Sequence, residues 1–405
     1  MRRFSHRSHI RRALMCVLLS LCLLIEMQMM PIVAVAATKA TVPLPYLESI
    51  GSLSAKAAVL IDADSGQVLY AKNEQTPLPM ASTTKIMTAL CAVELADADT
   101  VIKVDPAAVG IEGSSVYLYE NERLTLTQLL YALLLESAND AATAIAIGLC
   151  GSVEAFAEEM NAKARELGLV NTHFENPHGL DGETHHTTAH DLALIAREAL
   201  RHPLLRTIFA TRKITIPLNG SEGVRHLQNH NKMLRNYEGA IGVKTGFTKK
   251  SGRCLVSAAE RDGLTLIAVT LCAPDDWNDH EQMLDAGFAA LERVTLCARG
   301  EFETLVPVTG GREGYVMVQN AEEASLTMPR NRAGMLCTVE LPRFLYADVA
   351  DSAVIGCLIF RCDTDGDGTP EEIARVPLET VYGVERRPHK SLWQRLWDRL
   401  TGRSD

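Results

Sequence analysis

Positive charge is scarce in this chain: 40 Lys and Arg stand against 50 Asp and Glu, a formal net charge of −10. That balance gives no hint of nucleic-acid binding, and no glycine-rich phosphate loop is present, so no nucleic-acid partner is expected. A C-x-x-C pair is also missing. Of the 10 cysteines, most sit inside apolar runs such as "MTALCAVEL" and "LTLIAVTLCA". There they read as small buried hydrophobes and not as a structural zinc site. Long apolar runs are few, and the one at 13–25 is cut by Glu26, short of the ~20 residues a spanning helix needs. What remains is globular, with 47% hydrophobic and 22% charged residues over 405 positions, enough for two folded units.

The first segment is not part of a fold. Arg2, Arg3, Arg7, Arg11 and Arg12 precede the apolar run, and small residues follow at Ala34, Ala36 and Ala37. This pattern predicts a signal peptide over 1–37, hence an exported protein at the outer face of the cytoplasmic membrane or in the cell wall. The other end, 386–405, carries six Lys/Arg against two Asp. Leu392, Trp393, Leu396, Trp397 and Leu400 share one arc of a helix there. Such a tail suits a membrane surface, lying in the interface with arginines near anionic lipid.

Between these ends, "KAAVLIDADSGQVLYAKN" predicts a hairpin, and "GAIGVKTGFT", "GRCLVSAAERD" and "GLTLIAVTLCA" predict strands. The stretch from about 125 to 212 has helical spacing. One sheet built from both ends of 42–290, with a helical lobe inserted, gives an α+β unit with a cleft between lobes. From 292 to 385, short alternating runs such as "GYVMVQ" and "AVIGCLIFRC" predict a second, β-rich domain. Within it, Asp363, Asp365, Asp367 and Gly368 begin like a calcium loop, but the twelfth position is Ala374 instead of a glutamate, so a tight polar turn is expected.

Three short motifs carry the chemistry. In "MASTTKIMTAL", Ser82 and Lys85 stand one turn apart ahead of an apolar helix. A serine hydroxyl needs a neighbouring base, and residues i and i+3 share a helix face. An ordinary lysine, with a pKa of about 10.4, is no base at neutral pH. Burial and a second cation favour its neutral form. In "LLLESANDAATAIA", Ser137 and Asn139 fall where one apolar helix ends and another begins. There Ser137 is placed to relay a proton and Asn139 to bind a substrate amide. In "VKTGFT", Lys244 and Thr245 are suited to a carboxylate, and Gly246 permits close backbone approach. Each motif alone is weak; in this order, on helix, junction and strand, they form the S-x-x-K, S-x-N, K-T-G set of penicillin-recognising serine enzymes.

Over about 45–385 the chain resembles the low-molecular-weight penicillin-binding proteins that act as serine-type D-alanyl-D-alanine carboxypeptidases. The stretches "GSSVYLYENERLTLTQLLYALLLESANDAA", "FENPHGLDGETHHTTAHDLALIA" and "GVKTGFTKKSGRCLV" carry the likeness. The resemblance implies the serine β-lactamase/penicillin-binding-protein transpeptidase fold, peptidoglycan stem peptides as substrates, β-lactams as acylating inhibitors, and no cofactor. It implies Ser82 as nucleophile, Lys85 as proton acceptor, Ser137 and Asn139 at the proton and the amide, and Lys244 with Thr245 at the terminal carboxylate. The backbone N–H groups of Ser82 and of Phe247, next to Gly246, would meet the oxyanion.

Two rivals share the fold. A class A β-lactamase needs a deacylating glutamate, and the glutamates at hand, Glu175 and Glu183 in "ENPHGLDGE", sit in a stretch of carboxypeptidase type. A D,D-endopeptidase cutting cross-links is the closer alternative. His173, His178, His185, His186 and His190 crowd one stretch, but their spacing matches no zinc helix, so no metal is expected.

Overall fold

The computed structural model describes residues 47, 50–218, 223–332, 334–364, 368–388, 393 and 401. The expected signal segment and most of the cationic tail lie outside the described residues, as do Asp365 and Asp367.

The chain opens with strand β1 (Ala57–Asp62) and strand β2 (Val68–Lys72), joined by a turn in which the Asp62 carboxylate accepts the Ser65 N–H and hydroxyl. A short 3-10 turn, Ala81–Thr84, leads into helix α1 (Lys85–Leu95). Strands β3 (Val101–Lys103) and β4 (Arg123–Thr125) clasp the base of the loop between them. Helix α2 (Leu126–Leu135) starts with a capping box of Thr125 and Gln128, and α3 (Asn139–Cys150) ends on Gly151 in the left-handed conformation. Then come α4 (Val153–Glu166), α5 (Ala189–Arg201, capped by Thr188) and α6 (Pro203–Ala210). The hairpin β5 (Lys213–Pro217) and β6 (Val224–Gln228) and a single turn, α7 (Met233–Asn236), lead to β7 (Ala240–Thr248), β8 (Gly252–Arg261), β9 (Leu264–Leu271) and helix α8 (Asp276–Ala290).

The central sheet runs β2-β1-β9-β8-β7, antiparallel throughout, so the two ends of this unit meet at the β1–β9 pair. Every residue of β1 is buried. Val59 and Ile61 join the core under the helical lobe, while Ala58 and Leu60 join a second core with Met283, Leu284 and Phe288 of α8. A sheet covered on both faces has no need of polar alternation, which is why "AAVLID" reads as one apolar run. Helix α8 escaped the sequence reading because its buried stripe includes Asp276, Asp279 and His280. Asp279 is an anchor: its carboxylate accepts the N–H and hydroxyl of Ser54 and the N–H of Ala55, within 2.9 Å.

Beyond α8 the chain is all strand. β10 (Leu291–Cys297) and β13 (Ala324–Pro329) form a two-stranded ribbon. β11 (Glu303–Thr309), β12 (Tyr315–Asn320), β14 (Met335–Glu340), β15 (Leu345–Tyr346), β16 (Val354–Cys362) and β17 (Glu371–Thr380) make a six-stranded sheet around a third core. Strands β10, β11 and β13 were not anticipated; β10 is half-exposed along most of its length, and Pro307 interrupts β11. The ribbon sits on the β1–β2 turn, where Thr327 donates to Asp62 at 3.0 Å and Arg293 pairs with Asp64. Among the described residues no single helix is long and apolar enough to cross a membrane.

Candidate active site

The two threonines after Ser82 build its turn. Thr83 Oγ1 donates to Met80 O at 2.6 Å and Thr84 Oγ1 to Ala81 O at 2.8 Å, an alternative to helical hydrogen bonding that short hydroxyl side chains supply. Ala81 is held at φ 49, a costly conformation for a residue with a Cβ. In a 3-10 turn residues i and i+3 eclipse, which brings Lys85 Nζ to 2.9 Å from Ser82 Oγ.

Lys85 is fully buried. Its Nζ also contacts Asn139 Oδ1 at 2.8 Å and, more closely, the His178 carbonyl. Burial first, and the Lys244 charge second, push its pKa well below the usual lysine value, against a smaller opposing pull from Asp140. A neutral amine has two N–H groups and one lone pair. Asn139 Oδ1 and the His178 carbonyl can only accept, so both N–H groups go to them and the lone pair is left facing the Ser82 hydroxyl. Deprotonated Lys85 is therefore set to take the Ser82 proton.

The other two motifs arrive from the lobe and the sheet. Ser137, at the α2–α3 junction, is held at φ 61 and lines the cleft. Asn139 is buried, and its amide is engaged within the protein: Oδ1 on Lys85 and Nδ2 donating to Glu112 O at 2.6 Å. On β7, at the edge of the sheet, Thr245, Gly246 and Phe247 line the cleft. Lys244 is enclosed behind them, donates to Thr245 O at 2.8 Å, and has its pKa lowered by burial to about 7. Gly246 is needed for space: a Cβ there would lie 3.0 Å from Met80 O and 3.1 Å from Ser82 N. The strand thus runs against the backbone of the Ser82 turn, and the N–H groups of Ser82 and Phe247 belong to adjoining segments. The cleft between lobe and sheet encloses about 370 Å3.

The crowded histidines support this architecture. The Glu175 N–H donates to His185 Nδ1 at 3.0 Å, so His185 Nε2 carries the proton and faces Thr84 Oγ1 at 2.9 Å. Burial lowers the His185 pKa to about 4, keeping that tautomer neutral. His173 and His186 form a backbone bridge. Among the described residues no three His, Cys, Asp or Glu side chains are grouped to hold a metal ion.

A family profile described as D-alanyl-D-alanine carboxypeptidase matches residues 39–275, more than half of the chain. The chain belongs to that family. Relatives include the D-alanyl-D-alanine carboxypeptidase DacF of Bacillus subtilis, 35% identical over 280 residues, covering 67% of this chain and 72% of the relative. DacC of Escherichia coli is 31% identical over 86% of this chain and 88% of its own. Among solved structures, penicillin binding protein 5 from Haemophilus influenzae aligns with a TM-score of 0.63 at 27% identity, over 83% of this chain and 99% of that one. The fold is that of the penicillin-binding carboxypeptidases, with a β-rich unit following the α+β unit.

Several residues that support the site were not legible in the motifs. Asp140 is buried and accepts Ser115 Oγ at 2.7 Å and Leu118 N at 3.0 Å, tying the loop that carries Glu112 and Ser114 to α3. Arg225 and Glu122 form a buried pair with contacts of 2.6 and 2.8 Å and hold the far side of that loop, Arg225 also donating to Val116 O and Tyr117 O. The sequence hint for Asp140 was only an acidic residue in a first helical turn.

Proposed function

We propose that this D-alanyl-D-alanine carboxypeptidase cleaves the terminal D-alanine from peptidoglycan stem peptides through an acyl-enzyme on Ser82, within the unit 42–290. One observation carries the assignment: Lys85 is buried with two carbonyl acceptors on it and 2.9 Å from Ser82 Oγ. The Ser82 proton passes to neutral Lys85 as Oγ attacks the carbonyl between the two D-alanines. The N–H groups of Ser82 and Phe247 meet the oxyanion. Ser137 carries a proton to the leaving amine, Asn139 keeps Lys85 in place, and Thr245 with Gly246 borders the departing residue. Water then hydrolyses the Ser82 ester. A β-lactam, whose carbonyl and carboxylate imitate the dipeptide, acylates the same oxygen. The work lies outside the cytoplasm. The finer placement rests on two segments, the first wholly and the second mostly outside the described residues: export by 1–37 and retention at the membrane surface by 386–405.

Mass spectrometry after penicillin treatment tests the assignment. One adduct is expected, on the peptide containing Ser82, and none in Ser82→Ala. An adduct that persists in Ser82→Ala overturns it.

A further inference from the structure

Two cations face the cleft without a part in the steps above. Arg253, early in β8, pairs in register with Phe247 of β7, and Lys232 directly precedes α7. Both line the cleft with Ser82 and Thr245. Both approach the Trp277 ring, Arg253 Cζ at 5.5 Å and Lys232 Nζ at 6.0 Å from its centre, so one indole orders two positive charges at one end of the cleft. Arg253 Nε and Nη2 reach Asp276 Oδ1 at 3.0 and 2.6 Å, and Asp276 is buried. Lys232 makes no ion pair with any described residue. His230, also at the wall, has Glu136 beside it at 3.3 Å. Of the Lys, Arg, Asp and Glu side chains lining the cleft, Lys232 and Arg253 are positive and Asp276 is negative. Lys244 is placed differently: it is enclosed, does not line the cleft, and is held on the Thr245 carbonyl.

We propose that the Lys232–Trp277–Arg253 stack, and not Lys244, receives the substrate's terminal carboxylate. This rests on the carboxypeptidase reading and adds the residues that make the enzyme prefer a free acid at the chain end. Arg253 has its Nη1 edge left over from Asp276, in the planar geometry that suits a carboxylate; Lys232 adds a point charge. Lys244 is then left with its electrostatic effect on Lys85.

The test compares kcat/KM for Nα,Nε-diacetyl-L-Lys-D-Ala-D-Ala with that for the same peptide ending in a carboxamide. The wild type should favour the acid. Lys232→Met, at an exposed position, should lower the acid-to-amide ratio by roughly tenfold. The pair Arg253→Gln with Asp276→Asn, which leaves no lone buried carboxylate, should lower it by roughly 10- to 100-fold, the range of one charged hydrogen bond. A ratio unchanged in both folded variants overturns the proposal, as does a ratio that collapses only in Lys244→Met. If the wild type cleaves neither peptide, the carboxypeptidase reading has failed and the clamp falls with it.

Discussion

Replacing Gly246 by alanine tests whether the strand and the Ser82 turn together define the reacting geometry. The added Cβ would sit 3.0 Å from Met80 O, 3.1 Å from Ser82 N and 3.1 Å from Thr83 N. All three are backbone atoms, and Met80 O is already tied to Thr83 through its N–H and its hydroxyl. No side chain can rotate aside, so β7 and the turn must part by about 0.3–0.5 Å to restore ordinary contact. The opening moves the N–H of Phe247 away from that of Ser82. A 1 Å misplacement costs about 100-fold, and losing one oxyanion donor costs about 100- to 1000-fold. A partial opening should then slow acylation roughly tenfold, while overpacking removes about 1–3 kcal/mol of stability. Stopped-flow acylation by a fluorescent penicillin gives the rate, and thermal unfolding gives the stability. Acylation within twofold of wild type, with an unchanged Tm, would refute the reasoning.

Lys244→Met removes the cation that helps to depress the Lys85 pKa, so that pKa should rise. Because only neutral Lys85 accepts a proton, the acid limb of the acylation profile should move to higher pH. The shift should be clearest below about pH 7, where Lys244 is charged; an unmoved limb in penicillin acylation from pH 4 to 9 would count against the coupling. Glu122→Ala strands a buried Arg225 guanidinium and should cost about 3–5 kcal/mol by denaturant unfolding. A loss under about 1 kcal/mol would show that water reaches the pair.

The covalent order of residues by itself determined a good deal. A serine and a lysine three positions apart ahead of an apolar run must share one face. The hairpins around Gly66 and Asp262–Gly263 and the helices α1 to α5 follow from turn chemistry and period. These are local properties, settled within one or two turns of chain. Whether Lys85 can work as a base was not local. Its other two contacts come from Asn139, 54 residues on, and His178, 93 residues on, and their positions exist only once the lobe has packed on the sheet. The same holds for Lys244, whose enclosure behind β7 is a matter of what covers the strand, and for α8, whose apolar stripe is broken by Asp276, Asp279 and His280 because those polar groups find hydrogen-bond partners on other elements of the fold. Burial and long-range hydrogen bonding decide which polar side chains are chemistry and which are scaffold, and both are properties of the packed chain.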